Sequence, residues 1–136
     1  TKWTADVVIV NLGTNDFAKD NNVPTFRAKY EAFIKTIRGN YPGAWIYCIN
    51  GPMLSYYDPD DGGPLLSPRA AAEKDIKGTV DALVAAGDTK VRYLNVDQDY
   101  KNFGCEFHPY KASHADFIAA KIEPEIKIDV KWKTVP

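Results

Sequence analysis

The chain has 136 residues, enough for one core, with 45 % hydrophobic and 26 % charged residues, the balance of an ordinary globular domain. Its formal net charge is -1, with neither the basic excess nor the basic stripe of a nucleic-acid binder. No apolar run approaches the ~18 residues of a membrane span, so the expected partner is a neutral small molecule or polymer, with no nucleic acid and no membrane.

Residues 5–12 (ADVVIVNL) form a β-branched apolar run without alternation, as expected of a strand covered on both faces. Residues 24–40 follow as a helix with Phe26, Tyr30, Phe33, Ile34 and Ile37 on one stripe; Gly39 and Pro42 end it. Residues 44–50 (AWIYCIN) are the second strand, with Trp45 read as core, and Gly51-Pro52 stops it. A loop rich in Tyr, Asp, Gly and Pro runs to Ser67. There Ser67 is read as the cap and Pro68 as the first residue of a helix to about residue 86. Its buried stripe is Ile76, Val80, Leu83 and Val84, and Gly87 closes it. Residues 90–96 (KVRYLNV) are the third strand. A long connection leads to a last helix through Phe117, Ile118 and Ala120 to about residue 126, and residues 127–136 are too mixed to assign.

Three successive β-α units with apolar strands define the α/β class: a parallel sheet with flanking helices and right-handed crossovers. Three strands make a thin sheet, and the first begins with no unit before it, so an incomplete fold is expected within this chain. The two cysteines, Cys48 and Cys105, lack zinc-site spacing and are either a disulfide or two separate thiols. Asp58, Asp60 and Asp61 (DPDDGG) depart from calcium-loop spacing beyond the second carboxylate and read as a solvated turn, so no metal is expected.

In an open parallel sheet, ligands bind at the carboxyl ends of the strands. The residues at those ends are Gly13-Thr14-Asn15-Asp16, Gly51-Pro52-Met53 and the loop with His108-Pro109. An amide and an imidazole at one edge suit acyl transfer, which needs a donor for the oxyanion and a group that shuttles the proton. It also needs a nucleophile, and Ser55, Ser67 and Ser113 lie in no nucleophile-like setting. Taken alone, the Gly-Thr-Asn-Asp block reads equally well as a turn closing a βα loop. Asp16 reads as a loop-bracing carboxylate. His114 reads as structural. Tyr56 and Tyr57 are candidates to flank a sugar, since aromatic faces stack on such ligands.

Together these blocks resemble a known family. Gly13-Thr14-Asn15-Asp16 after a VVIVNL strand resembles the G-x-N-D block of SGNH (GDSL) hydrolases, and His108-Pro109 before a helix resembles their final block. NLGTNDF, IRGNYPGAWIYC, the NGPM turn and GCEFHPYKASH resemble carbohydrate esterase family two most closely, over about residues 5–122. The resemblance implies a flavodoxin-like three-layer fold and a secreted esterase that removes acetyl groups from plant-wall polysaccharide without a cofactor. It makes His108 the general base and Asn15 an oxyanion-hole donor. Gly13, Thr14, Met53, Tyr56 and Tyr57 are then the substrate-contacting candidates.

The family's serine and glycine blocks, and its β-sandwich domain, would lie N-terminal to this chain. Residues 1–136 are therefore expected to be the C-terminal part of a catalytic domain, completed by a second segment carrying the nucleophilic serine. The general pattern has an aspartate three residues before the histidine, where this chain has Cys105. The imidazole is oriented either by Glu106 or by a main-chain carbonyl near Cys105. Two other readings stand beside this one: a different short-chain GDSL esterase or lipase, and a non-catalytic carbohydrate-binding α/β module. Co-purification of a polypeptide with a G-D-S block separates the enzyme from the module.

Overall fold

The computed structural model describes residues 3–18, 22–54, 68–96 and 111–131, the last of these with side chains from residue 115 onward. In chain order the elements are β1 (Val7–Asn11), α1 (Thr14–Phe17), α2 (Phe26–Asn40), β2 (Trp45–Asn50), α3 (Pro68–Ala85), β3 (Val91–Asn95) and α4 (Lys111–Val130). The strands pair in parallel in the order β1-β2-β3, with Val10 beside Cys48 and Cys48 beside Tyr93.

The alternation of β2 sorts the core into two layers. Ile46 and Cys48 point to one face, where Phe17 of α1, Phe26, Tyr30 and Ile34 of α2, and Ala72, Ile76, Val80 and Leu83 of α3 pack with Val10 and Val91. Tyr47 and Ile49 point to the other, where Ile122 and Ile126 of α4 pack with Val96. A side chain such as Ile34, fully buried, contributes about 1.5–3 kcal/mol by leaving water. The expected α/β architecture, a parallel sheet with helices on both faces, is the one observed.

Several expectations need correction. The strand expected to be covered on both faces is only partly so: among the described residues β1 ends the sheet, and although Val7 packs on the α4 layer, Ile9 is 46 % exposed. Phe33 (45 % exposed) and Val84 (51 %) were placed on buried stripes, but both lie on the outer faces of α2 and α3. The Gly-Thr-Asn-Asp block is a helical turn, α1, rather than a loop. The final helix runs to Val130, past Pro124. Pro124 removes one backbone donor, yet Ile122 and Ile126 on either side are buried against the sheet and carry the helix through.

The end of α4 is latched. Tyr47 Oη donates to Asp129 Oδ2 at 2.8 Å, and Arg92 grips both carboxylate oxygens from Nε and Nη2 at 2.7 Å each. Hydrogen bonding from Arg92 holds the Asp129 carboxyl below its ordinary range, against the opposing effect of burial. The Arg92 guanidinium also lies 5.0 Å over the Trp45 ring, a cation–π contact that keeps this half-buried tryptophan against the second core layer. At the amino ends of β2 and β3, Arg38 binds both Asp88 oxygens (2.9 and 3.0 Å) and the carbonyls of Ala44 and Lys90. Cys48 is a buried thiol, and Cys105, its partner in the disulfide reading, lies outside the described residues. Burial pushes the Cys48 thiol up to about 11.

Candidate active site

At the exit of β1 the backbone turns at Gly13, whose φ of 108° is left-handed and costs little only for glycine. A Cβ there would also lie 3.1 Å from the Phe26 ring. The Gly13 carbonyl accepts from Phe17 N at 3.0 Å, closing the single turn of α1. Phe17 is fully buried and meets the Phe26 ring edge-on, with centroids 4.7 Å apart. With Phe17 as the anchor, the other side of the turn faces outward, and Asn15 and Asp16 are exposed at the carboxyl edge of the sheet.

The neighbouring exit, from β2, is pressed against this turn. A Cβ on Gly51 would lie 2.7 Å from Asn11 Oδ1 and 2.9 Å from Thr14 Oγ1, so this position needs glycine for space. Asn50, fully buried, accepts from Val96 N through Oδ1 at 3.3 Å. Its Nδ2 is a buried donor with no partner among the described residues.

Arg69, in the first turn of α3 and fully buried, reaches the same edge. It donates to the Val96 carbonyl at 2.7 Å and to Asn95 Oδ1 at 2.5 Å. Longer contacts of 3.4 Å reach the carbonyls of Gly51 and Leu54. The exits of all three strands are thus tied together.

Of the residues singled out in the sequence, Gly13, Thr14 and Asn15 stand on the β1 exit. Met53 is half-buried on the β2 exit, followed by buried Leu54. Tyr56, Tyr57, Asp58, Asp60, Asp61, Cys105, Glu106 and His108 lie outside the described residues, as does the His114 side chain. His108 falls three residues before the start of α4 and twelve after Val96. Arg69 was missed. The available signal was a cation in the first turn of a helix, where the dipole disfavours positive charge; α3 has no acidic residue there to offset it. A groove of about 250 Å³, lined by Leu12, Asp16, Phe26 and Phe33 among others, runs beside the Asn15 turn. A larger cavity of about 440 Å³ lies around Arg38 and Asp88, at the opposite end of the sheet from Asn15. Among the described residues no three His, Cys, Asp or Glu side chains are grouped to hold a metal.

A parallel α/β sheet with polar turns gathered at its carboxyl edge defines the class, an α/β domain of the kind that binds ligands at the strand ends. Comparison with known proteins narrows this. The pattern of the GDSL-like lipase/acylhydrolase family matches residues 1–117, and the chain belongs to that family. The cellulase/esterase CelE of Acetivibrio thermocellus is 31 % identical over 135 residues, covering 97 % of this chain and 15 % of CelE. A family two carbohydrate esterase from Clostridium thermocellum, solved with cellohexaose, superposes with a TM-score of 0.79 at 29 % identity, over 96 % of this chain and 38 % of that one. A family two carbohydrate esterase with a carbohydrate-binding domain, from Corynascus thermopiles (Myceliophthora fergusii), gives 0.74 at 28 %, over 96 % and 39 %. The chain therefore spans well under half the length of these relatives.

Proposed function

We propose that the chain is the base- and oxyanion-bearing part of a serine esterase that removes acetyl groups from plant-wall polysaccharide. The observation that carries the reading is the tying of three strand exits at one edge. Asn15 stands on the first, and the third leads to the segment with His108. Membership of the GDSL-like family and likeness to carbohydrate esterases support it.

In this reading a serine on a segment outside these residues attacks the acetyl carbonyl, His108 takes its proton and gives it to the leaving sugar oxygen, and a water deprotonated by His108 then hydrolyses the acetyl-serine to acetate and free serine. Asn15 donates to the tetrahedral oxyanion, where the charge develops. Met53, Tyr56 and Tyr57 meet the sugar. No cofactor enters the steps. A polymeric substrate requires the enzyme to be secreted, and acetyl-esterase activity confined to cells rather than medium would contradict that.

The test is direct. The chain alone should not hydrolyse p-nitrophenyl acetate above background, because a histidine and an amide without a nucleophile give only weak general-base hydrolysis. Turnover near that of an intact esterase from pure chain would overturn the reading, and sugar binding without turnover once the serine segment is present would favour a binding module.

The orienting group is a choice between Glu106 and a carbonyl near Cys105, and we favour the carbonyl. A carbonyl fixes the imidazole tautomer but stabilises the imidazolium less than a carboxylate does. With a carbonyl partner, Glu106→Gln should lower kcat about tenfold or less. A loss of roughly 10³-fold or more, with the melting temperature unchanged, would assign the role to Glu106.

A further inference from the structure

We propose that Asn11 and Thr14 form a subsite at the exit of β1 that takes a hydroxyl of the acetylated sugar. The inference rests on the esterase reading and deepens it, by naming residues that recognise the sugar rather than the ester.

Asn11 is the last residue of β1 and Thr14 the first of α1. In an extended chain, side chains three residues apart point to opposite faces. Here Gly13 turns the backbone between them through a left-handed φ of 108°, and both side chains reach the same spot. That spot is the empty side-chain position of Gly51. Asn11 pairs with Ile49, two residues before Gly51, and strand side chains lean along the strand direction. A Cβ on Gly51 would meet Asn11 Oδ1 at 2.7 Å and Thr14 Oγ1 at 2.9 Å. Two polar side chains therefore stand within hydrogen-bond distance of one point, at the edge of the sheet where ligands bind and next to Asn15.

The pair does not serve the turn itself. Asparagine and threonine commonly bond to nearby main chain, yet neither of these side chains has a hydrogen-bond partner among the described residues. Asn11 is exposed and Thr14 half-buried, so both are open to a ligand. Their chemistry selects it. An amide and a hydroxyl offer donors and acceptors without charge, and the group that engages both is itself a neutral donor and acceptor. A sugar hydroxyl beside the ester meets that description. A carboxylate, a phosphate or an ammonium would be bound without a compensating charge.

The test compares two substrates in the enzyme assembled from this chain and its serine segment. Acetylated xylan carries hydroxyls beside its esters, and p-nitrophenyl acetate carries none. The readout is the ratio of their kcat/KM values, which misfolded protein does not alter. Asn11→Leu and Thr14→Val should each lower this ratio about three- to tenfold, the range for one lost hydrogen bond. Because one hydroxyl engages both side chains, the double variant should fall within about twofold of the weaker single variant.

A merely structural pair would slow both substrates alike or neither. A ratio within about twofold of wild type in both single variants therefore overturns the proposal, as does a double variant whose loss is the product of the two single losses. If Asn11→Leu does not fold, Thr14→Val, which removes the hydrogen-bonding group and keeps the branched shape, decides alone. Wild-type enzyme active on p-nitrophenyl acetate but not on acetylated xylan rejects this inference. Wild-type enzyme inactive on both substrates rejects the esterase reading, and the subsite is then judged by the Kd for xylohexaose. The two variants should raise that Kd by the same three- to tenfold or so, and an unchanged Kd would reject the subsite as well.

Discussion

Asn15 owes its exposure to its neighbours. Gly13 supplies a left-handed turn that a side chain would strain, and Phe17 is buried under Phe26, so the outer side of a single helical turn presents the amide. In the proposed role of one donor to an oxyanion, it should matter when charge develops rather than when substrate binds. Asn15→Ala is therefore expected to lower kcat by roughly 10²- to 10³-fold with a smaller change in KM. An unchanged kcat would assign Asn15 to the turn alone. Its place at the β1 exit was legible because glycine, amide and carboxylate follow directly on an apolar strand. Its helical conformation was not, since such a cluster reads first as a turn. Arg69 shows the converse. Its partners are carbonyls contributed by two strand exits more than a dozen positions away, and long-range main-chain acceptors leave no mark on local sequence.

At the scale of elements, unbroken apolar runs made the strands plain, because a central parallel strand buries both faces. The same signal overstated β1. Its run is as apolar as that of β2, yet Ile9 is exposed, since coverage depends on which helix lies above and not on the strand itself. Phe33 and Val84 were misplaced for a similar reason: apolar residues adjoining a buried stripe extend it on paper, but the sheet covers only the narrower face. The last turn of α4 was unreadable because its key residue is an aspartate. Asp129 earns its place through Arg92 and Tyr47.

That latch has a definite pH dependence. Asp129 has a folded-state pKa below its unfolded value near 3.9. Its contribution is therefore complete above that unfolded value and is lost as pH falls through the lower, folded value. Asp129→Asn should destabilise by about 1–2 kcal/mol at pH 7, discounted for the half-exposed Arg92. The gap to wild type in thermal melts should narrow as the pH drops below about 4. A gap that stays constant from neutral to acid pH would show that the charge of Asp129 is not what holds α4.

Across the whole molecule, the sheet, its two helical layers and the edge at which the exits converge were all legible, because β-α-β alternation restricts the topology to few arrangements. The exposure of the β1 face was not legible, because it depends on where α4 lies and not on the strand's own run. The same geometry joins fold to function. The segment that carries His108 leaves β3 at a residue pinned at both its N–H and its carbonyl. Three residues after His108 it enters a helix whose far end is docked by Ile122, Ile126 and Asp129. The claim that this organisation serves acyl transfer is tested most directly by one comparison, the kcat of His108→Ala against His114→Ala in the esterase assembled with its serine segment, on an acetylated substrate. In the proposed mechanism both proton transfers pass through His108, so its loss should lower kcat by roughly 10⁴-fold or more, while His114→Ala stays within about tenfold of wild type. A reversed order, or a His108→Ala enzyme that turns over like the wild type, would contradict the assignment of the base and the esterase reading built on it.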